Sequence, residues 1–444
     1  MSNKIFHAYD IRGLYKTQIT IETAVRVGLL LADEYKPKTV LIGYDQRIGS
    51  EELANAMTDA FLDSGVDVLF IGLVPTPLVY FGVNHHKADM GIMVTASHNP
   101  KEYVGFKITR ENAIPIGYDD GLNTIESRMD ETIVPTANKK GNLSEISVLK
   151  DYLKFILPYA GSIANQRVLI DCSNGATGSI ILPLIENLEI DANLVNITPD
   201  GTFPVHPPNP LDAKATDWLG ETVRDTQCTC GIMFDGDGDR IGVVDENGAF
   251  VSPDIIGLLL SLEIAEREKK PNKQTILYDL RSTKSIEERL TDRNIKSQKT
   301  KVGHTFIKKQ MRETGAIFAS ELSGHYYYRD FFNCDDAVMA LFDLLTVLAK
   351  RAKPLSEIVE EFVSYTKSPE INLKVADRDK AISKIKTTFA DAKISELDGV
   401  TIEYPDWWAN IRSSNTEPLL RFNFEANTKE LLNEKITQVK ALFD

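Results

Sequence analysis

The sequence predicts an α/β protein: three related α/β domains in tandem, with mixed or parallel sheets, and a smaller C-terminal α+β domain, all arranged around a central cleft. The 444 residues exceed what one hydrophobic core usually supports. One pattern also occurs three times, at Val40–Arg47, Val168–Gly178 and Thr275–Thr283. Each copy is an apolar run ending in Asp, then a polar turn and a helix-like segment. That order is typical of parallel βαβ construction, and the copies are too far apart for a solenoid.

The tail from about Thr366 has a different pattern. A turn-rich linker is followed by strand-like and helix-like segments in an order that predicts a small α+β domain covering one side of the cleft. The predicted domains are therefore residues 1–145, 146–250, 251–365 and 366–444.

Composition and charge exclude several classes of protein. Apolar residues make up 43% of the chain and charged residues 26%, as in ordinary globular proteins. The net charge of −14 argues against nucleic acid or an anionic membrane as partner. The most apolar run, Ile255–Ile264, is too short to span a bilayer. The N-terminus has no secretion signal, so a cytoplasmic location is expected, and the four cysteines lack zinc-site spacing.

The segment Thr95–Pro100, TASHNP, is the first candidate for chemistry. It follows the apolar run Met90–Val94, so Ser97 lies just past a strand end, where α/β proteins place ligands. The adjacent His98 favours a reactive serine, because a serine nucleophile needs a base or an electrostatic partner. The alternative is an ordinary loop hydroxyl or helix cap. A hydrolase triad fits poorly, because this segment has no Gly-x-Ser-x-Gly elbow.

The segment DGDGDR brings Asp235, Asp237 and Asp239 around one point. Their mutual repulsion is costly without a cation, and hard oxygen ligands suit Mg²⁺ or Ca²⁺. A calcium-binding EF-hand is disfavoured, because Arg240 stands where that loop needs Gly and the flanking residues read as strands. A plain acidic turn is the other alternative.

Two further loops carry polar side chains suited to a sugar phosphate. Arg412–Pro418, RSSNTEP, offers a guanidinium, hydroxyls and backbone N–H groups for an anion, although a polar β-turn is the alternative. Glu321–His325, ELSGH, offers a carboxylate and a hydroxyl for vicinal sugar hydroxyls, although a loop carboxylate satisfied by its neighbours is the alternative. Basic residues lie beside these loops: Arg12, Lys107, Arg240 and Arg281.

Together these segments resemble the α-D-phosphohexomutase superfamily. That family has a phosphoserine loop, a metal loop, a sugar-binding loop and a phosphate-binding loop, and TASHNP, DGDGDR, ELSGH and RSSNTEP stand here in that order. The segments AYDIRG, YVGFK, FPVHPPNP and KVGHTFIK also look like family features. The resemblance covers essentially the whole chain and is strongest to the bacterial phosphomannomutase/phosphoglucomutase branch.

The resemblance implies an isomerase that interconverts hexose 1-phosphate and hexose 6-phosphate through phospho-Ser97 and a hexose 1,6-bisphosphate. It implies Mg²⁺ held by Ser97, Asp235, Asp237 and Asp239. Lys107, His98 and Arg12 would assist Ser97 in catalysis, with the general base left open among them. The substrate-binding residues that it implies are Tyr9, Arg240, Arg281, His304, Glu321, Ser323, His325, Arg412, Ser414, Asn415 and Thr416.

Departures from the family pattern bear on the substrate. Asn415 stands where phosphoglucosamine mutases usually have Gly, which favours a hexose over an amino sugar. Ser320 replaces the first Gly of the sugar loop, and Arg281 stands where many relatives have Lys. The choice between mannose and glucose stays open.

The expected partners are small-molecule sugar phosphates, with no nucleic acid and no membrane, and the protein is expected to be a monomer or a weak homodimer. The alternatives are a phosphoglucosamine mutase, a metal-dependent sugar phosphatase and a non-catalytic sugar-phosphate-binding relative. Because the bisphosphate must turn over between two transfers, the fourth domain is expected to open and close about the linker Thr366–Glu370.

Overall fold

The computed structural model describes residues 5–132, 137, 139–161, 163, 166–188, 190–268, 274–375, 377–413 and 419–443. Four sheets follow one another along the chain, three mixed and one antiparallel. Within those ranges, the helices are all too short or too polar to cross a bilayer.

The first sheet has six strands in the order β1-β5-β4-β2-β3-β6. Its strands are β1 (Ile11–Leu14), β2 (Thr39–Tyr44), β3 (Asp67–Leu73), β4 (Met90–Val94), β5 (Tyr103–Arg110) and β6 (Leu143–Glu145). Its helices are α1 (Ile21–Tyr35), α2 (Ser50–Asp63), α3 (Thr76–His86) and α4 (Asn123–Ser127).

The second sheet has five strands in the order β11-β10-β9-β7-β8. In chain order, the elements of this region are α5 (Leu149–Ile156), β7 (Arg167–Asp171), α6 (Ile181–Ile185), β8 (Asp191–Val195), α7 (Ala213–Thr226), β9 (Cys230–Phe234), β10 (Ile241–Asp245) and β11 (Phe250–Val251). Since β11 pairs with β10, the predicted boundary after residue 250 falls inside a strand.

The third sheet has the order β13-β12-β14-β15-β16. In chain order, the elements of this region are α8 (Pro253–Arg267), β12 (Thr275–Asp279), α9 (Ser285–Thr291), β13 (Lys296–Thr300), α10 (His304–Thr314), β14 (Phe318–Ser320), β15 (Tyr326–Tyr328), β16 (Cys334–Asp335), α11 (Ala337–Arg351) and α12 (Leu355–Glu360). The apolar run Ile255–Ile264 lies in α8, which is buried along most of its length.

These three sheets share one topology. In each, a central strand (β2, β7 or β12) lies between two parallel neighbours, and one of those neighbours turns back into an antiparallel strand. The prediction of three related α/β domains is therefore confirmed. The hairpin loops, β4–β5, β9–β10 and β14–β15, hold Ser97, the three aspartates and Glu321, so the shared topology places the three loops in equivalent positions.

The fourth sheet is antiparallel throughout. In chain order, the elements of this region are β17 (Thr366–Lys367), β18 (Ile371–Lys374), α13 (Arg378–Thr388), β19 (Lys393–Ser395), β20 (Val400–Glu403), β21 (Trp407–Ser413), β22 (Leu419–Ala426) and α14 (Lys429–Lys440). This arrangement confirms the predicted α+β C-terminal domain. The residue at which each domain passes into the next stays a prediction.

The fourth region has a hydrophobic core of its own, whereas one continuous cluster runs through parts of the first three. Polar contacts link the fourth sheet to the third region. Glu425 accepts a hydrogen bond from the backbone of Lys284 at 2.9 Å, and Lys367 forms an ion pair with Asp254 of α8. A domain can move as a rigid body when it has its own hydrophobic core and meets its neighbour through polar contacts.

Candidate active site

A cavity of about 670 Å³ lies where the three hairpin loops meet. Side chains from all four regions line it, the last contributed by Arg421 of β22. The cavity is lined by these predicted site residues: Tyr9, Arg12, His98, Lys107, Arg240, His304, Glu321, Ser323 and His325. The fold thus brings together residues more than 300 positions apart in the sequence.

Ser97 is fully buried in the turn that follows β4; its neighbours His98 and Asn99 line the cavity, and Ser97 itself is not among the described lining residues. Its Oγ lies 2.9 Å from Oδ2 of Asp235 and 3.4 Å from Nδ1 of His98. Its backbone has a φ of +51°, in the left-handed region that non-glycine residues rarely adopt. The prediction that Ser97 and the aspartate loop meet rested on motifs 138 residues apart, and the side chains are in hydrogen-bond contact.

The three aspartates occupy the loop between β9 and β10 and are almost fully buried. Lys107, on β5, donates to Oδ2 of Asp237 at 2.7 Å and also to Asp239. Thr76, at the start of α3, donates to Asp237 at 2.6 Å. The strands on either side exclude the calcium-binding EF-hand, which needs flanking helices.

Burial and mutual repulsion set the electrostatics of this loop. Burial, and next the charges of Asp237 and Asp239, raise the pKa of Asp235 well above its usual range. Burial by itself lowers the pKa of Lys107, but the carboxylates of Asp237 and Asp239 outweigh it and hold the pKa above its ordinary value. Lys107 and Arg240, whose Nε lies 3.6 Å from Asp235 and 3.8 Å from Asp239, offset part of the negative charge that the loop concentrates.

The donor set fits a divalent metal ion. One carboxylate oxygen from each of the three aspartates lies within 4.8 Å of the others. Oδ1 of Asp237 is buried and has no hydrogen-bond partner among the residues that the structure describes, while Oδ1 of Asp239 faces Nε2 of His325 at 3.3 Å. A buried carboxylate oxygen without a partner is costly, and a hard cation such as Mg²⁺ suits it. The acidic group is therefore consistent with the predicted metal site.

The loop between β14 and β15 presents Glu321, Ser323 and His325 to the cavity. Ser323 Oγ lies 2.8 Å from Nδ1 of His325, while Nε2 of His325 lies 3.3 Å from Asp239. Burial and then Arg240 lower the pKa of His325, but Asp239 and Glu321 raise it to about 9. This histidine therefore connects the sugar loop with the metal loop as a cation.

Glu321 is held ionised. Burial works to raise its pKa, but His325 and Arg281 hold the pKa well below its usual range. Tyr327 donates to Oε2 of Glu321 at 2.8 Å. An ionised carboxylate at the cavity wall is a hydrogen-bond acceptor, as the recognition of sugar hydroxyls requires.

Basic and aromatic residues form the rest of the wall. Arg12 donates to Asn99 in the Ser97 loop and is paired with Asp10. Arg240 lies 3.2 Å from His325, measured from Nε to Nε2. His304 packs edge-on against Tyr9 with 5.6 Å between ring centroids.

Two of the remaining predicted residues lie beside the cavity. Within the described part of the chain, Arg281 is not among the lining residues, and its Nη2 pairs with Asp279 at 2.7 Å and lies 3.6 Å from Glu321. Arg412 is paired with Glu370 at 3.3 Å. The predicted phosphate-binding residues Ser414, Asn415 and Thr416 lie outside the described residues.

Sequence reasoning missed Arg421. It stands opposite Arg412 in the β21–β22 register, lies 3.5 Å from Glu370 and lines the cavity. If the strands on either side of RSSNTEP are assumed to pair as an antiparallel hairpin, that pairing places Arg412 and Arg421 opposite each other. Thr76 was also missed, and no local pattern marks it.

Family comparisons cover nearly all of the chain. The family models described as "Phosphoglucomutase/phosphomannomutase" match as alpha/beta/alpha domain I at residues 3–134, domain II at 150–248, domain III at 252–365 and the C-terminal domain at 370–441. Among curated proteins, a phosphomannomutase of Methanocaldococcus jannaschii is 37% identical, covering 99% of this chain and 97% of its own. A phosphomannomutase/phosphoglucomutase of Pseudomonas syringae is 34% identical over 97% of this chain and 92% of its own.

A solved structure has the same architecture. It is a phosphoglucomutase/phosphomannomutase family protein from Burkholderia thailandensis, which superposes with a TM-score of 0.91 at 29% identity and covers 100% of this chain and 97% of its own. A second solved structure, from Paramecium, superposes with a TM-score of 0.80 at 18% identity and covers 100% of this chain and 95% of its own. At that identity the likeness concerns the fold alone.

Proposed function

The chain belongs to the phosphoglucomutase/phosphomannomutase family, and we propose that it interconverts hexose 1-phosphates and hexose 6-phosphates through a phosphorylated Ser97. The protein is thus an isomerase. We propose mannose and glucose phosphates as its substrates, since relatives named for one or both are more than 30% identical over nearly the full length.

One observation supports the proposal most strongly. The Ser97 hydroxyl lies 2.9 Å from Asp235, the first of three buried aspartates, beside a cavity lined with basic residues. A serine nucleophile, a metal-binding acidic group and cationic side chains in one cleft are the components that phosphoryl transfer needs.

The first transfer begins with a hexose 1-phosphate in the cavity. Its ring hydroxyls are held by Glu321 and Ser323, and its phosphate lies toward Arg412 and Arg421 on the fourth sheet. The 6-hydroxyl attacks phosphorus, so that the O6–P bond forms as the bond from phosphorus to Ser97 Oγ breaks. The proton of the 6-hydroxyl passes by way of the cavity wall to the departing Oγ of Ser97. Of Lys107, His98 and Arg12, His98 suits the base best, because burial lowers its pKa and keeps the ring neutral, whereas Asp237 and Asp239 keep Lys107 protonated.

The second transfer runs in the opposite direction on the other end of the sugar. The hexose 1,6-bisphosphate turns over; the Ser97 Oγ–P bond then forms as the O1–P bond breaks, and the proton of the serine hydroxyl passes to O1, leaving hexose 6-phosphate. The proposed metal is Mg²⁺, held by Ser97, Asp235, Asp237 and Asp239. When bound there, it supplies positive charge beside the transferring phosphoryl group. Lys107, fixed between two of the aspartates, adds a further positive charge at the same point.

Turnover of the bisphosphate needs room, and we propose that the fourth domain provides it by opening and closing about Thr366–Glu370. The separate core and the polar contacts with α8 and Lys284 support this motion. Small-angle scattering with and without substrate, and proteolysis at 366–370, test it. Unchanged scattering and cleavage in the presence of substrate would rule it out. The cytoplasmic location and the monomeric or weakly dimeric state stay predictions.

A coupled assay tests the proposed function directly. Mannose 1-phosphate, glucose 1-phosphate and glucosamine 1-phosphate are each supplied with Mg²⁺ and a trace of the bisphosphate. We expect turnover of the first two and little of the third. Steady release of inorganic phosphate would indicate a phosphatase instead.

Ser97→Ala is the matching variant. We expect it to lose at least about a thousandfold in kcat, because the phosphoryl group then has no attachment point. Wild-type turnover in this variant would disprove the covalent route.

A further inference from the structure

The fully buried side chain of Arg47 contacts the Ser97 loop and is not among the described residues that line the cavity. Its guanidinium donates to backbone carbonyls along the loop: Nη1 to Pro100 at 2.8 Å and to Tyr103 at 3.2 Å, and Nη2 to Asn99 at 2.6 Å and to Ser97 itself. One side chain thus binds four carbonyl groups of a seven-residue segment. Backbone carbonyls pointing inward at a buried arginine fix the path of the chain.

Asp45 completes the arrangement from the same turn. Its Oδ2 lies 3.2 Å from Nε of Arg47 and accepts the hydroxyl of Thr95 at 2.6 Å. The hydroxyl oxygen of Thr95 in turn accepts the backbone N–H of Ser97 at 2.8 Å. Both the N–H and the C=O of Ser97 are therefore held by this group, which we name the clamp: Asp45, Arg47 and Thr95.

Two residues of the second region pack against the clamp and the Ser97 loop. The ring of Phe203, in the segment FPVHPPNP, lies over the Arg47 guanidinium at 5.0 Å, as in a cation–π contact. On the metal loop, a Cβ at Gly236 would come within 2.5 Å of the Ser97 carbonyl oxygen, so the two loops are packed backbone to backbone. The position of Ser97 relative to Asp235 is thereby set by the clamp on one side and by Gly236 on the other.

The conformation of Ser97 explains why a clamp is needed. A non-glycine residue at φ +51° is strained and persists only where its surroundings impose it. A loop released from the clamp would relax toward the ordinary regions of backbone space. The hydroxyl would then leave the position 2.9 Å from Asp235.

We propose that Asp45, Arg47 and Thr95 are positioning residues for phosphoryl transfer, which hold Ser97 in line with the aspartate loop without contacting substrate. This inference rests on the proposed function. It predicts a specific kinetic effect: transfer slows while substrate binding is unaffected, because within the described part of the chain no clamp residue lines the cavity.

Arg312 provides a matched control. It also donates to backbone carbonyls, to Lys308 at 3.0 Å, to Phe332 at 2.9 Å and to Asn112 at 3.2 Å, and so joins two regions of the molecule. Among the described residues it is not part of the cavity wall. If Arg47 contributed to stability alone, Arg47→Lys and Arg312→Lys would have the same effect on kcat per folded molecule.

The experiment measures kcat and KM per folded molecule for wild type, Arg47→Lys, Thr95→Val and Arg312→Lys, with amide hydrogen exchange on peptides covering residues 95–103. We expect Arg47→Lys to lose about 100-fold in kcat with KM unchanged, as a displacement of about 1 Å can cause. Thr95→Val should lose less, and Arg312→Lys nothing. Exchange should rise at 95–103 in the two clamp variants and not in the control.

Wild-type kcat in Arg47→Lys, or exchange that rises equally across the whole protein, would overturn the proposal. If Arg47→Lys does not fold, Thr95→Val decides: a lower kcat at unchanged KM supports the clamp, and an unchanged kcat overturns it. Wild type and Ser97→Ala are assayed in parallel. A wild type without mutase activity would refute the proposed function, while the exchange data would still test the clamp.

Discussion

Asp45 in the first domain and Asp279 in the third stand at the carboxyl end of the central strand of two related sheets. Each accepts the backbone N–H of an arginine two residues further on, Arg47 at 3.0 Å and Arg281 at 2.7 Å. Each also holds the functional loop after the neighbouring strand, through Thr95 in one case and through the N–H of Leu322 at 2.8 Å in the other.

The two arginines differ in where they point. Arg47 is fully buried behind its loop and binds backbone carbonyls, whereas Arg281 keeps 13% of its side chain exposed and lies 3.6 Å from Glu321 at the cavity wall. The same strand-end aspartate thus has two different settings. In the proposed function, the first domain fixes the backbone of the reacting serine, and the third domain sets the charge of a carboxylate that would bind substrate.

Asp45→Asn should have the largest effect in this comparison. Arg47 loses its counter-ion in a buried place, which costs about 3–5 kcal/mol of stability, and the Ser97 loop loosens. We expect kcat per folded molecule to fall about 100-fold with KM unchanged, from steady-state kinetics and thermal unfolding measured side by side. A rise in KM instead would mean that the first domain serves binding.

Glu321→Gln should show the opposite pattern in the third domain. An uncharged amide is a weaker acceptor for sugar hydroxyls, and a hydrogen bond to a charged group contributes about 1.5–3 kcal/mol, so KM should rise about tenfold or more. Isothermal titration with glucose 1-phosphate, with Ser97→Ala present in both proteins, checks binding without turnover. Unchanged affinity would remove Glu321 from the binding residues.

Asp279→Asn should produce a smaller change of the same kind. The asparagine side chain can still accept the N–H of Leu322, but as a neutral group. We therefore expect KM to rise about fivefold, equivalent to ~1 kcal/mol, with kcat nearly unchanged. The same kinetic assay compares it with Asp45→Asn. Equal losses of kcat in both variants would show that the two aspartates act alike and would break the comparison.

Asp336→Asn should change neither kcat nor KM. Asp336 is also buried and also accepts backbone N–H groups, from Val338 at 2.8 Å and Met339 at 2.9 Å, but it begins α11 rather than anchoring a cavity loop. Burial raises its pKa from 3.8 to about 7. A folded-state pKa above the unfolded value means that its stabilising contribution is complete below pH 3.8 and is lost as the pH rises through about 7.

The urea midpoint of wild type should therefore fall more steeply between pH 4 and 7 than that of Asp336→Asn, in parallel titrations over that range. Identical slopes would contradict the raised pKa.

Much of the site followed from the sequence because each loop is local. TASHNP, DGDGDR and ELSGH carry their chemistry within six residues, and the strand-like runs beside TASHNP and DGDGDR predicted that these loops follow strand ends. The helix-like segment predicted after Val168–Gly178 is less regular than the pattern indicated, since a 3₁₀ turn at Ala176–Ser179 precedes a short α6.

The clamp could not be predicted in this way. Arg47 and Ser97 are 50 residues apart, and the guanidinium binds main-chain carbonyls, which every residue type possesses. The motif VLIGYDQR marked a strand and a turn but gave no sign of where its arginine would point. Contacts between a side chain and a distant backbone depend on topology rather than on residue pattern.

The central claim is that the Ser97 hydroxyl and the three aspartates form one reacting centre. Incubating the dephosphorylated protein with glucose 1,6-bisphosphate and Mg²⁺, then mapping phosphate by peptide mass spectrometry, tests it most directly. We predict one phosphoryl group, on Ser97, in wild type and none within the same time in Asp235→Asn or with a chelator present. Phosphate on another residue, or an equal rate on Ser97 in Asp235→Asn, would contradict the account.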